Sequence, residues 1–280
     1  MRQPKHPRSG AECSPGLPRR SALAAVAAIG ISASLAACAP EPTTEPRSTP
    51  TKTKSATETP TPTPPPEPTP EPTPEPPAFD KAAHSIDDPM SIWVVGNKMR
   101  PFTPVDFEPS DLVATQGVAN QNGQPLREVA ARATEQFIAG AAAAGYQVQI
   151  ISAYRPYSMQ VGLYNGYVAR DGQAAADTYS ARPGHSEHQT GLTVDLDDYG
   201  GCYLEPCFGG TPAGQWLAAN AADYGFILRY PEGKQEVTGF MPEPWHFRYV
   251  GPELAQEMKR TGITTLEEFF GLPAAPGYAG

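Results

Sequence analysis

Apolar and polar positions change rhythm several times along this chain, and each change marks an element. In PLREVAARATEQFIAGAAAAG (125–145), Leu126, Val129, Ala133, Phe137 and Ala141 recur at steps of three and four. That is the spacing of one helical face, and Gly145 supplies a stop. The spacing predicts further helices in PYSMQVGLYNGYVAR, in TPAGQWLAANAADYG from Thr211 to Gly225, and in PELAQEMKRTG, with a turn or two more in TTLEEFFG. Short apolar runs read as strands: SIWVVG (91–96), QVQIIS (147–152), GLTVDLD (191–197), and the aromatic FILRY and WHFRYV. Helices and strands mix without strict alternation. This predicts an α+β fold, a single compact domain over 79–280, rather than a doubly wound sheet. There is no internal repeat and no glycine-rich phosphate loop.

The N-terminal region follows none of these rhythms. Arg2, Lys5, Arg8, Arg19 and Arg20 precede an uncharged run, SALAAVAAIGISASLAA, that ends at Cys38. A basic stretch, an apolar stretch and small residues before a cut define a secretory signal over 1–38. The run is short and Ala-rich for a spanning helix. Leu35-Ala36-Ala37-Cys38 resembles a bacterial lipobox, which implies that Cys38 becomes a lipid-bearing N-terminus anchored in the membrane. Arg19-Arg20 leaves open whether export is by the general or the twin-arginine route. Residues 39–78 are almost wholly Pro, Thr, Glu, Ser and Lys, with no apolar face from which to build a core. Proline favours an extended chain of about 3 Å per residue, so this segment reads as a spacer with reach on the order of 100 Å. The expected location is the outer face of the cytoplasmic membrane, with the domain held out toward the wall.

Composition adds two exclusions. The net charge of −9 and the lack of a basic run in the last two-thirds argue against a nucleic-acid partner. Of four cysteines, Cys202 and Cys207 lie together in GCYLEPCFGG with no second pair to complete a metal site. In an exported chain they read as a local disulfide.

Three stretches carry chemistry. SARPGHSEHQTGLTVDLDD (180–198) places His188 and Asp195 in H-x6-D spacing, the first in a loop and the second on a predicted strand. MPEPWHFRYVG (241–251) places Glu243 and His246 in E-x-x-H spacing. SAYRP (152–156) places Arg155 just after a strand. Two imidazoles and a carboxylate form a ligand set for catalytic zinc with a fourth position open to water. A nearby carboxylate that is not a ligand can take that water's proton, and Glu243 suits the part. Pro242 and Pro244 argue against a helical zinc motif there. Arg155 is placed to polarise a carbonyl. Spacing alone leaves His185 in competition with His188, and Asp197 and Asp198 in competition with Asp195, although only Asp195 and Asp197 share a strand face.

S-E-H-Q-T-G-L-T-V-D resembles the S-x-H-x-x-G-x-x-x-D segment of the VanY-type zinc D-alanyl-D-alanine carboxypeptidases. E-P-W-H-F-R-Y-V-G resembles their second signature and S-A-Y-R-P their arginine segment, in the same order along the chain. The resemblance covers roughly 88–262. It implies a compact α+β domain around a small antiparallel sheet with flanking helices, of the Hedgehog/DD-peptidase type. It implies one Zn2+ per chain held by His188, Asp195 and His246, with Glu243 as base and Arg155 on the substrate carbonyl. Ser186 and Gln160 are implied as substrate contacts, and His185 has no metal role. Thr193 stands where the family has a small residue, a mild departure on the strand. The implied reaction is removal of the terminal D-alanine from peptidoglycan stem peptides. L,D-carboxypeptidase action on tetrapeptide stems and cross-link endopeptidase action use the same machinery, and a non-catalytic wall-binding lipoprotein is the reading from another class.

Overall fold

The computed structural model describes residues 78–279. The signal, the lipid site at Cys38 and the spacer before residue 78 lie outside the described residues. Two short strands, β1 (Leu112–Val113) and β2 (Leu126–Arg127), pair antiparallel and lead into helix α1 (Glu128–Ala143). β3 (Gln149–Ser152) is followed by α2 (Tyr157–Asp171) and α3 (Gln173–Tyr179). Then come β4 (Thr193–Asp197), α4 (Pro212–Asn220), β5 (Phe226–Leu228), α5 (Gln235–Thr238), β6 (His246–Tyr249), α6 (Pro252–Thr261) and α7 (Leu266–Phe270). The main sheet is antiparallel in the order β3-β4-β6-β5. This is the α+β class expected from the mixed pattern.

The two-residue period of β4 and β6 divides the chemistry from the core. Val194, Leu196 and Phe247 face a cluster with Phe137 of α1 and Phe226 of β5. Phe137 stacks on Tyr224 and Phe226 and meets Phe247 edge-on. Asp195, His246 and Arg248 alternate with those residues and so point to the other face. A second cluster of Trp93, Ile227, Val250, Leu254, Met258, Leu266 and Phe269 packs there. The helices that cover it are capped locally. Pro252 opens α6, Lys259 and Arg260 lie in its last turn, and left-handed Gly262 closes it. The Thr265 side chain accepts the Glu268 N–H at the start of α7.

Three expectations are corrected, and one element is added. The predicted strand at 91–96 is buried but irregular. The Arg248 guanidinium donates to the carbonyls of Ile92 and Val94, so a side chain satisfies groups that a neighbouring strand would otherwise take. The helix predicted for 211–225 ends at Asn220 and tightens into a 3-10 turn over Ala221–Tyr224. The buried stripe of α1 runs through Ala130, Thr134, Phe137 and Ala141, and Val129 faces solvent. Helix α3 was not expected, and Gly172, at φ 82°, separates it from α2. Among the described residues, no helix is long and apolar enough to cross a membrane.

Candidate metal centre

The register of the sheet builds the first half of the site, because Asp195 on β4 lies directly opposite His246 on β6. The second half comes from a 3-10 turn, Glu187–Thr190, that carries His188 back toward β4. Gly191 makes that return possible. It sits at φ 66°, and a Cβ there would meet Arg127 and Leu112 side-chain atoms at 3.0 Å. His188 Nε2 then stands 3.2 Å from Asp195 Oδ2, and His246 Nδ1 stands 3.1 Å from Asp195 Oδ1. The imidazole planes cross at 86°. All three side chains are buried, and their candidate ligand atoms lie within 4.8 Å of one another.

Several observations test whether these residues suit a metal ion. His188 Nδ1 lies 2.7 Å from the Ala153 carbonyl, which can only accept, so Nδ1 carries the proton and the Nε2 lone pair faces Asp195. Asp195 Oδ1 is buried without a hydrogen-bond partner. Ligand atoms 2.0–2.1 Å from a tetrahedral zinc stand about 3.3 Å apart, and one donor atom from each of the three residues already lies within 4.8 Å of the others, the two imidazoles approaching different oxygens of Asp195. Burial alone would raise the Asp195 carboxyl, yet the facing imidazoles hold it well below the usual carboxylate range. Burial lowers His188. Burial would also lower His246, but Asp195 and Glu187 outweigh it and push that imidazole up to about 9. The centre therefore favours a positive charge at this point, and the donor set fits zinc.

Glu243 stands beside the centre with Oε2 3.4 Å from His246 Nδ1. Pro242 and Pro244 keep this segment out of a helix. Instead the His246 N–H donates to the Glu243 carbonyl and the Glu243 N–H donates to that of Tyr230, which points the segment into the cleft. Burial pushes the Glu243 carboxyl up to about 8. A carboxyl near neutrality is suited to taking and passing on a proton.

A cleft of about 440 Å³ opens over these groups, and Arg155, Gln160 and Ser186 line it. Arg155 follows β3, and its Nε is buried without a hydrogen-bond partner. Gln160, on α2, donates to the Ala181 carbonyl at 2.6 Å and leaves Oε1 unpaired. Ser186 immediately precedes the His188 turn. Cys202 and Cys207 are joined in a disulfide whose short loop puts Leu204, Glu205 and Pro206 on the cleft wall.

The competing candidates have other partners. His185 Nδ1 pairs with the Asn97 carbonyl, and its ring meets Tyr278. Asp197 accepts from Gln149 and from the Tyr199 N–H. Asp198 accepts from the Gly200 N–H. Sequence reasoning missed the buried charges behind the centre: Glu187, Arg229, Arg248 and Glu267, all with side chains fully shielded from solvent. The signal was available, since FILRY and WHFRYV each carry an arginine among residues patterned for burial.

Residues 123–252 match the family described as VanY: D-alanyl-D-alanine carboxypeptidase. The putative carboxypeptidase YodJ of Bacillus subtilis (strain 168) is 37% identical over 191 residues, which are 66% of this chain and 69% of that protein. The structure of the LdcB LD-carboxypeptidase superposes with a TM-score of 0.61 at 37% identity, over 65% of this chain and 87% of LdcB. The vancomycin resistance D,D-pentapeptidase VanY, solved with Zn(II), superposes with a TM-score of 0.54 at 31% identity, over 64% of this chain and 98% of that one.

Proposed function

This chain belongs to the VanY family of D-alanyl-D-alanine carboxypeptidases, and on that premise we propose that it removes the C-terminal D-alanine from peptidoglycan stem peptides, using His188, Asp195 and His246 as zinc ligands and Glu243 as the base. It is a zinc-dependent carboxypeptidase. The observation that carries the residue assignment is the convergence of the His188, Asp195 and His246 donors, with the Glu243 carboxylate 3.4 Å from one of them.

Zinc, when bound, supplies Lewis acidity and lowers the pKa of water toward neutrality. The chain's own residues do the rest. Arg155 offers an unpaired guanidinium N–H to the scissile carbonyl oxygen, where negative charge grows as water adds to carbon. Glu243 takes the proton from the attacking water. It then passes that proton to the departing nitrogen as the C–N bond breaks, so the products are a shortened peptide acid and free D-alanine. Gln160 and Ser186 line the cleft together with Arg155 and offer polar contacts that orient the peptide.

The closer superposition on LdcB supports a second reading, cleavage of the L,D bond in tetrapeptide stems. Defined pentapeptide and tetrapeptide stems separate the two when released D-alanine is measured with the zinc-loaded domain. Turnover of the pentapeptide alone supports the D,D reading, and turnover of the tetrapeptide alone replaces it. Glu243→Ala should keep zinc and lower turnover about 100- to 10,000-fold, and normal turnover in that variant removes Glu243 from the mechanism.

The placement of the enzyme belongs to the same proposal. The basic and apolar N-terminus ending at Cys38 supports export and lipid attachment, and the proline-rich stretch supports a spacer that carries the domain toward the wall.

A further inference from the structure

Behind the metal centre lies a carboxylate that the reaction does not consume. Glu187 sits between Ser186 and His188, and its side chain is fully buried. Arg229 Nε and Arg248 Nη1 both donate to its Oε1, at 2.8 and 2.9 Å. Its Oε2 has no hydrogen-bond partner. His246 Nε2 lies 3.7 Å from that oxygen, and it too is buried without a partner. The two unpaired atoms face each other a few tenths of an ångström beyond hydrogen-bond distance. On its other side, the same imidazole turns Nδ1 toward Asp195 at 3.1 Å.

We propose that Glu187 is a positioning residue for the metal centre: its Oε2 accepts the Nε2–H of His246 and holds that ring with the Nδ1 lone pair aimed at the ion. The proposal rests on the reading of His246 as a ligand. Metal-bound histidines commonly donate their outer N–H to a carboxylate or carbonyl, which fixes the tautomer and ring angle. His188 already does so with the Ala153 carbonyl. Glu187 completes the same arrangement for the second imidazole.

Stability alone gives a weak reason for Glu187. Arg229 makes a bidentate pair with Glu267, at 2.9 and 2.7 Å. Buried ion clusters of this kind are seldom better than well-packed apolar side chains, because desolvation offsets their attraction. The arginines also divide the two oxygens of Glu187 between different tasks. Both guanidinium donors hold Oε1, so the carboxylate cannot rotate and Oε2 stays turned toward His246.

This division makes Glu187→Gln a sharp test. The amide oxygen must stay with the two arginines, since an NH2 group there would oppose their donors. The NH2 then faces His246 Nε2, where it opposes an N–H and favours the tautomer that places its proton on Nδ1. Glu267→Gln is the control, because it disturbs Arg229 in the same cluster without a contact to His246. Zinc dissociation constants are read by chelator competition, and the imidazole N–H groups of the zinc-loaded protein by 1H–15N spectroscopy. E187Q should weaken zinc binding about 10- to 100-fold and lose an exchange-protected Nε2–H signal of His246. E267Q should lower the melting temperature while keeping both wild-type readouts. Equal loss of zinc affinity in the two variants, or none in E187Q, overturns the proposal. If E187Q does not fold, the wild type decides: a His246 Nε2–H that exchanges freely with solvent overturns it. Retention of zinc by His246→Ala would instead sink the ligand assignment on which the proposal rests.

Discussion

At the scale of single residues, the centre is a place where opposing effects have been set against one another. Burial pushes Glu243 up to about 8, while in His246 the neighbouring carboxylates outweigh burial and give about 9. Both groups therefore hold protons at pH 7 in the zinc-free protein, and zinc must displace at least that on His246 Nδ1. Zinc affinity should rise with pH by about tenfold per unit for each proton released, levelling off near pH 9. Calorimetric titration in buffers of different ionisation enthalpy counts the protons, and a count of zero at pH 7 contradicts the arrangement. The same shifts bear on stability. A raised folded-state pKa gives stability that is full below the unfolded pKa and is lost as pH rises through the folded value. The stability these two groups contribute to the zinc-free protein should thus begin to fall near pH 4.5 for Glu243 and near pH 6.5 for His246, their ordinary values, and be lost by about pH 8 and about pH 9, a loss the zinc-loaded protein should not show.

At the scale of elements, two helices of similar length meet the site differently. α1 packs its Gly140 against the 3-10 turn that follows α4, and a Cβ there would lie 2.0 Å from the Tyr224 hydroxyl oxygen. Gly140→Ala should therefore force Tyr224 aside and destabilise by about 1–3 kcal/mol. α2 lines the cleft with Gln160, Leu163 and Tyr167, while its Gly162 has no atom within 4 Å of an added Cβ. Gly162→Ala should stabilise by up to about 1 kcal/mol, since alanine is the better helix former and nothing opposes it. Urea unfolding of both variants checks the pair, and equal signs would mean that packing does not separate the two helices. The contrast also shows why α1 carries the core: its buried stripe meets Phe226 and Phe247 of the sheet that bears Asp195 and His246.

At the scale of the whole molecule, the proposed placement joins a lipid anchor, a spacer and a catalytic domain. On the proposed anchoring, the mature chain begins at a lipid-bearing Cys38. Cys38→Ser should release a soluble form or block processing, and a variant still processed and membrane-bound like its parent defeats the anchor. Deleting the proline-rich stretch should lower activity on intact wall and spare activity on soluble peptides, because an anchored enzyme reaches only what lies within the spacer's span. Equal activity of the deleted and parent forms in both assays leaves the stretch without a spacer role.

Local pattern by itself determined the class of fold, the positions of most helices and strands, and the stretches that carry the chemistry. Such features depend on periodicity and on side-chain type, which are written residue by residue. The choice among His185, His188, Asp197 and Asp195 needed more. Spacing left it open, and the resemblance to a family supplied it before any coordinate did. Tertiary structure supports the proposed choice, because the β4–β6 register sets Asp195 against His246 while Asp197 is taken by Gln149 and Tyr199. Strand pairing joins residues far apart in sequence, and no local pattern contains it. The same holds for the segment at 91–96, where the Arg248 guanidinium takes the carbonyls that a neighbouring strand would have used. It holds most for Glu187. Its place between Ser186 and His188 was visible, but its burial against Arg229, Arg248 and His246 depends on β4, β5 and β6 packing around one turn. A charge becomes a positioning group only when the fold removes water from it and leaves it one direction in which to accept a hydrogen bond.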